Sequence, residues 1–359
     1  MKYPPVHYHD YLKIDQILGA QKRRSEELGQ PAHDELLFIT VHQTYEIWFK
    51  QVLFEIDSVL EIFAASPIEE KKMALALARL ERVVAILKLV MGQIDVLETM
   101  TPLDFLEFRD YLYPASGFQS VQFRLIEIKL GLKEKERLLY NQTPFYQYLP
   151  ESHQKRVQES MAQKSLFELV DGWLARTPFL QNEEFDFWKA YQVAVTQMFA
   201  ADRRTVQDNP QLSQEVKQKN LEMIEATEKT FLATFNEEDY GRLREAGHFH
   251  LSFQGFHGAL LIYLYRDQAI FHGPFQILSS LMDIDELLTQ WRYRHALMAH
   301  RMLGQKIGTG GSSGHAYLKQ ATDKHKVFSD FFNLSTYLIP RSKVPPLPPS
   351  LQSKMNFNY

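Results

Sequence analysis

The 359-residue chain contains no cysteine. This absence excludes disulfides, zinc–thiolate sites, iron–sulfur clusters, thiolate-ligated haem and haem attached through a Cys-x-x-Cys-His pair. Any metal or haem iron must therefore be held by histidine, carboxylate or tyrosine side chains. The lack of cysteine also agrees with a reducing cytoplasm.

The sequence also lacks a large excess of one charge sign and lacks long apolar runs. The formal net charge is -4 and no block of like charges occurs, so we expect neither a nucleic-acid surface nor an acidic tail. The first residues, MKYPPVHYHDYLKIDQ, contain no apolar stretch of signal-peptide length. No apolar run approaches the roughly 18 residues of a membrane helix, so we expect no membrane span and a cytoplasmic location.

Apolar residues that recur at steps of three and four predict an all-α protein. The predicted helices are Glu35–Phe63, Lys71–Leu97, Leu166–Trp173, Phe185–Phe199, Gly258–Tyr265 and Phe275–Leu303. Helix breakers lie between these segments, at Thr101-Pro102, 114–117, Gly273-Pro274 and 308–314. No alternating pattern predicts a set of strands.

We interpret the chain as one helical-bundle domain over residues 1–359. A charged stretch at 201–244 predicts a solvent-exposed helical hairpin, and a polar stretch at 133–164 is a second excursion from the core. The proline-rich tail at 340–359 is expected to be extended.

The predicted helix Phe275–Leu303 carries a histidine in the middle of an apolar stripe. His295 shares one face with Trp291 and with Ile284, Leu288, Met298 and Met302. His300 lies about 140° away, on a face with Asp285 and Arg292 that we expect to be wetter. A buried imidazole is either a core residue satisfied by protein hydrogen bonds or an axial ligand of a haem iron.

The predicted helix Glu35–Phe63 repeats this feature. Phe38, His42, Tyr45 and Phe49 fall on one face, so a second histidine lies among aromatic rings. Core packing also explains such a stripe, but two helices with the same feature favour a shared pocket.

Two further segments add polar chemistry. Phe105 and Arg109 lie one helical turn apart, and the arginine fork suits a carboxylate, although a surface ion pair to Glu107 or Asp110 is the alternative.

The segment Gly308–Gly314 has four glycines in seven residues and matches neither a phosphate-binding loop nor a dinucleotide fingerprint. It is either a flexible linker or a lid over a ligand.

The amino-acid sequence from Tyr8 to Arg341 closely resembles that of the tryptophan 2,3-dioxygenase family. The motifs that carry the resemblance are HDE…FITVHQTYEIWFKQ at 33–51, DF…FRDYL at 104–112, PASGFQS at 114–120, WRYRH at 291–295, the glycine-rich segment, and FNLSTYLIPR at 332–341.

The resemblance implies an all-α haem enzyme that inserts both atoms of O2 across the indole C2–C3 bond of L-tryptophan. The product would be N-formyl-L-kynurenine, formed in the first step of the kynurenine pathway. It further implies non-covalent haem b, with ferrous iron in the active state and one haem per subunit, in a homotetramer built as a dimer of dimers.

The resemblance also implies roles for individual residues. His295 matches the proximal ligand of the haem iron and Trp291 a haem-pocket aromatic. His42 matches a distal histidine that hydrogen-bonds the indole N–H and orients the substrate, and Arg109 the residue that binds the substrate carboxylate. The remaining matches are Phe38, Tyr45 and Phe105 in the indole pocket, Ser116 on the distal side, Thr309 at the amino acid end of the substrate, and Tyr8, Tyr11 and Leu12, which belong to an N-terminal segment (1–30) that reaches a neighbouring subunit's site.

Three alternatives remain open from the sequence. The first is a haem enzyme of the same fold acting on another indole or aromatic amino acid, and the presence of His42, Arg109 and Thr309 together favours tryptophan over it. A haem-binding sensor or carrier would bind haem without forming product, and a purely structural helical protein would be colourless.

Overall fold

A computed structural model describes residues 3–134, 137, 145–178, 180, 185–304, 306 and 324–355. These residues form helices and turns and contain no β-strand, which confirms the all-α prediction. None of the described helices is both long and apolar enough to cross a membrane. The helices are α1 Tyr8–Leu12, α2 Ile14–Leu18, α3 Arg24–Glu27, α4 Glu35–Ala64, α5 Glu70–Leu97, α6 Pro102–Phe108, α7 Val121–Leu130, α8 Glu151–Met161, α9 Leu166–Leu174, α10 Phe187–Asp208, α11 Gln214–Leu232, α12 Glu237–Glu245, α13 Phe253–Leu264, α14 Ala269–Leu303, α15 Ser329–Asn333 and α16 Pro349–Met355.

The three longest of these helices begin and end near the predicted positions, except at the start of α14. Pro274 was expected to mark a break before the helix, but it lies inside α14, which begins at Ala269. The prediction was wrong because a proline near a helix N-terminus costs only one backbone hydrogen bond, and the preceding residues can still complete the first turn.

The described part of the chain folds into two compact units. One unit is drawn from Met1–Ser58, Glu81–Lys164 and Asp283–Val327, and the other from Val59–Leu80, Ser165–Met282 and Phe328–Tyr359. Each of α4, α5 and α14 contributes residues to both units. The interpretation of the whole chain as one domain stays a prediction.

The first unit contains all of the described site residues predicted above. Val52, Ile56, Val83, Ile94 and Leu125 are buried in it, on α4, α5 and α7. Two short helices start at well-formed caps: Thr101 caps α6 in a capping box with Asp104, with Pro102 in the first turn, and Ser120 caps α7. The polar stretch at 133–164, predicted as an excursion, includes α8, which packs against α7.

In the second unit, α9 and α13 approach so closely that only glycine fits between them. A Cβ atom added to Gly258 would lie 2.1 Å from the carbonyl oxygen of Leu174, and one added to Gly255 would lie 2.0 Å from a carboxylate oxygen of Asp171. The predicted hairpin at 201–244 is helical: α10 and α11 pack together, and Arg203 of α10 forms a two-pronged ion pair with Glu228 of α11.

The proline-rich tail departs from the prediction of an extended chain. Residues Arg341–Lys343 form a 3-10 turn and Pro349–Met355 form α16, in which Leu351 and Met355 are buried. Proline at the first position of a helix has no N–H to lose, so Pro349 starts this helix rather than preventing it.

Candidate active site

The face of α4 that carries His42 forms one side of an aromatic pocket in the first unit. The ring centroids of Phe38 and His42 are 4.0 Å apart, and Tyr45 meets His42 edge-on at 6.3 Å. His42 Nδ1 lies 2.7 Å from the carbonyl oxygen of Phe38. A carbonyl only accepts, so Nδ1 carries the proton, and the neutral ring presents Nε2 as an acceptor.

The residues of α6 continue this wall. The ring of Phe105 lies 5.9 Å from that of Phe38, and Phe108 lies 5.5 Å from Phe38 and 5.4 Å from Phe105. Arg109 follows directly as the C-cap of α6. Its guanidinium lies 3.8 Å from Asp110, whose side chain is 89% exposed, so this ion pair is long and largely solvated.

The face of α14 that carries His295 forms the other side of the pocket. The rings of Trp291 and His295 are parallel within 1°, with centroids 5.2 Å apart. Tyr45 and Phe49 of α4 meet the Trp291 ring edge-on at 6.1 and 6.3 Å, and Phe123 of α7 lies 5.0 Å from it. The two histidine-bearing stripes predicted from the sequence therefore meet in one pocket.

Both imidazoles are held neutral near pH 7. Burial lowers the pKa of His42, and it lowers the pKa of His295 to about 4, with a further contribution from His42. Burial also raises the pKa of Tyr45 to about 12, so its phenol keeps its proton. A neutral histidine can bind a metal through one ring nitrogen, whereas an imidazolium cannot.

Nδ1 of His295 is a buried polar atom of this pocket with no hydrogen-bond partner among the described residues, whereas the Tyr45 hydroxyl and Nε1 of Trp291 face each other without forming a well-aligned hydrogen bond. Unpartnered buried polar atoms are uncommon, so an imidazole nitrogen left without a partner here indicates a group that serves a ligand. The donor set suits haem, because His295 presents a neutral imidazole, with an unpartnered Nδ1, among aromatic side chains.

A polar contact ties the turn before α7 to α4. Ser120 and Gln122 donate side-chain hydrogen bonds to the carboxylate of Glu46, at 2.6 and 2.8 Å. Ser116 lies in the same turn, where its hydroxyl accepts from the backbone N–H of Phe118 and its own N–H donates to Gln119. Glu46 therefore fixes this turn relative to the helix of His42.

Some of the predicted site residues are not brought into this pocket by the chain. Tyr8, Tyr11 and Leu12 are 70%, 73% and 37% exposed, and α1 has no buried residue. Thr309 and the segment Gly308–Gly314 lie outside the described residues.

One prediction about α14 was wrong. The face with Asp285 and Arg292 was expected to be wetter than that of His295, but these two side chains are only 3% and 5% exposed, while His300 is exposed. Both charged groups have partners: Asp285 accepts from the backbone N–H of Val327, and Arg292 donates to Glu127. Buried charges that are paired look, in the sequence, like those of a solvated face.

Two aromatic residues of the pocket were missed by the sequence reasoning. Phe108 is fully buried against Phe38 and Phe105, and Phe123 packs on Trp291. Phe108 lies three residues after Phe105, a spacing that could have indicated it. No local pattern points to Phe123, because its contacts come from distant parts of the chain.

A model of the tryptophan 2,3-dioxygenase family matches residues 3–338. The chain belongs to this family. Among its curated relatives, the tryptophan 2,3-dioxygenase of Bdellovibrio bacteriovorus is 61% identical over the full length of both chains. That of Alteromonas mediterranea is 47% identical over 98% of both chains, and that of Dictyostelium discoideum is 46% identical over 99% of this chain and 89% of the relative.

Proposed function

We propose that this chain binds haem b through His295 and oxidises L-tryptophan held between His42 and Arg109. As a member of the tryptophan 2,3-dioxygenase family, it is an oxidoreductase that converts tryptophan to N-formylkynurenine with O2. The observation that carries the assignment of the site is the neutral, unpartnered imidazole of His295, stacked on Trp291 in the same pocket as His42.

His295 would hold the iron, and Trp291 would pack beside the haem. The haem, when bound with ferrous iron, supplies the binding and activation of O2, which no side chain of the protein can provide. The protein contributes a neutral ligand, an aromatic enclosure and the position of the substrate.

His42 orients the indole ring. Its Nδ1–H is committed to the carbonyl oxygen of Phe38, so Nε2 accepts a hydrogen bond from the indole N–H. The reaction at C2–C3 does not require the indole proton to be removed by a strong base, so His42 acts by placing the substrate. Phe38, Tyr45 and Phe105 supply the walls of the indole slot.

Arg109 fixes the other end of the substrate. Its guanidinium lies at the end of the α6 wall and is 19% exposed, and its ion pair with the exposed Asp110 is long, at 3.8 Å. A carboxylate can accept two parallel hydrogen bonds from such a fork. Ser116 would lie on the distal side, and Thr309 would contact the amino acid end.

The N-terminal segment would complete the site of a neighbouring subunit in a homotetramer. Tyr8, Tyr11 and Leu12 expose apolar surface, and α1 buries none of its residues within its own chain, which is what a segment that docks on another subunit requires. The absence of cysteine agrees with a cytoplasmic location.

A spectroscopic turnover experiment tests the proposal. The protein is purified with haem supplied, reduced, and mixed with L-tryptophan in air while the spectrum is recorded. We expect a haem spectrum and tryptophan-dependent growth of N-formylkynurenine absorbance. Haem binding without product would indicate a sensor or carrier, and a colourless folded protein would contradict the proposal.

A further inference from the structure

A buried cluster of charges lies behind the aromatic wall of the site. The carboxylate of Glu127, on α7, pairs with Arg124 at 3.1 Å, Arg137 at 2.6 Å and Arg292 at 2.8 Å. The side chains of all four residues are at most 10% exposed. Burial alone would raise the pKa of Glu127, but Arg137 and Arg124 outweigh this effect and hold it well below its usual value, so Glu127 is an anion.

This guanidinium cluster, defined by Glu127, Arg124, Arg137 and Arg292, carries a net positive charge. Its three guanidinium groups converge on the one carboxylate of Glu127. His325 Nδ1 lies 3.7 Å from Glu127, and burial lowers the pKa of His325, so this imidazole adds no charge. The cluster lies in a region from which water is largely excluded, where charges act over longer distances than in water.

The guanidinium cluster reaches the site through two aromatic rings. The guanidinium carbon of Arg292 lies 5.9 Å from the centroid of the Phe123 ring. Phe123 packs against Trp291, whose ring is parallel to that of His295. Arg292 also directly follows Trp291 on α14 and precedes His295 by three residues. Aromatic rings screen a charge poorly, so the positive potential of the cluster would extend towards the haem side of His295.

We propose that the guanidinium cluster raises the reduction potential of the haem held at His295 and so favours the ferrous state. This inference rests on the proposed function, because it requires haem at His295. Reduction of the iron adds one electron, so a fixed positive charge nearby stabilises the reduced form relative to the oxidised form. Arg292 and Glu127 would act on the haem through their electric field and not by contact. They are therefore classed as positioning residues and not as catalytic ones.

Two substitutions of opposite charge test the proposal in the haem-loaded protein. Arg292→Gln removes one positive charge, and Glu127→Gln removes the negative charge. Midpoint potentials are measured by spectroelectrochemical titration with small mediators as the electron source. Poised at the wild-type midpoint, Arg292→Gln should be less than half ferrous and Glu127→Gln more than half ferrous.

Matched controls separate charge from packing. Arg292→Lys keeps the charge and should remain close to half ferrous. Arg82→Gln breaks a different ion pair, with buried Glu55, and should also stay close to half ferrous. If Arg292→Gln yields no holoprotein, Arg124→Gln removes the same charge from another side of Glu127 and should shift the potential in the same direction.

The outcomes distinguish this inference from the proposed function. Potentials that do not move, or that move in the same direction in Arg292→Gln and Glu127→Gln, would overturn the inference and leave the cluster a purely structural one. A wild-type protein that takes up no haem would instead contradict the proposed function.

Discussion

The Nδ1–H of His42 donates to the carbonyl oxygen of Phe38 one helical turn earlier, at 2.7 Å. This bond uses the only proton of the neutral ring and aims an acceptor, Nε2, away from the helix backbone. The hydrogen bond to the helix backbone therefore fixes the tautomer of the His42 ring, and no second side chain is needed to fix it.

Replacement of His42 by serine should reduce activity without abolishing it. We expect kcat/KM for L-tryptophan to fall about fivefold to tenfold, because one net hydrogen bond contributes about 1 kcal/mol. The matched substrate is the analogue with sulfur in place of the indole N–H, which has no proton to donate. Steady-state kinetics should show little further loss for this analogue in His42→Ser. An equal loss for both substrates would contradict the hydrogen bond to the indole.

Replacement of Arg109 by alanine should weaken the binding of substrates that carry a carboxylate. We expect KM for L-tryptophan to rise about tenfold to a hundredfold, since a hydrogen bond to a charged group contributes about 1.5–3 kcal/mol. Arg109→Lys keeps the charge but loses the fork, and should be intermediate. Binding of tryptamine, which lacks the carboxylate, should change little in both variants. An equal effect on tryptamine would show that Arg109 acts on the fold of the pocket instead.

The acid limb of the pH profile should report His42. Burial lowers the pKa of His42 from its usual value, so the fall of kcat/KM, as the ring gains a proton at Nε2, should begin at a lower pH than for an exposed histidine. The nearby charge of Glu46 opposes this lowering. Glu46→Gln should therefore shift the acid limb to lower pH. A profile of His42→Ser that retains the same limb would assign it to another group.

A buried histidine of the second unit should make the protein sensitive to acid. His257 of α13 is stacked on Trp188 with centroids 3.5 Å apart, and burial lowers its pKa to about 3. Because the unfolded chain protonates near pH 6.5, the stability due to neutral His257 is fully present above that pH. It is lost as the pH falls towards 3, by at most about 1.4 kcal/mol for each pH unit.

Substitution of His257 by phenylalanine keeps the aromatic contact and removes this titration. Urea unfolding between pH 6.5 and 4 should show a shallower loss of stability in His257→Phe than in the wild type. The same substitution at His272, which is exposed in the same unit, should leave the slope as in the wild type. Identical slopes in all three proteins would show that His257 is not the group responsible.

Local periodicity predicts the part of the site that lies along two helices. The stripes through His42 and His295 each follow from residues three and four apart, and the structure places both in one pocket. The same reasoning does not reveal the pairing of Glu127 with Arg124, Arg137 and Arg292. Arg137 and Arg292 come from other segments than Glu127. Arg124 lies three residues before Glu127 on α7, and such an Arg–Glu pair is typical of a solvated helix surface. Only the tertiary structure shows that the pair is buried.

The strongest test of the account is haem binding by variants of His295 and His300 on α14. Haem is titrated into His295→Ala and into His300→Ala, which alters the exposed histidine five residues further on. The account predicts that His300→Ala binds haem as the wild type does, that His295→Ala loses the six- or five-coordinate histidine spectrum, and that added imidazole restores it. A His295→Ala protein with the affinity and spectrum of the wild type would contradict the account.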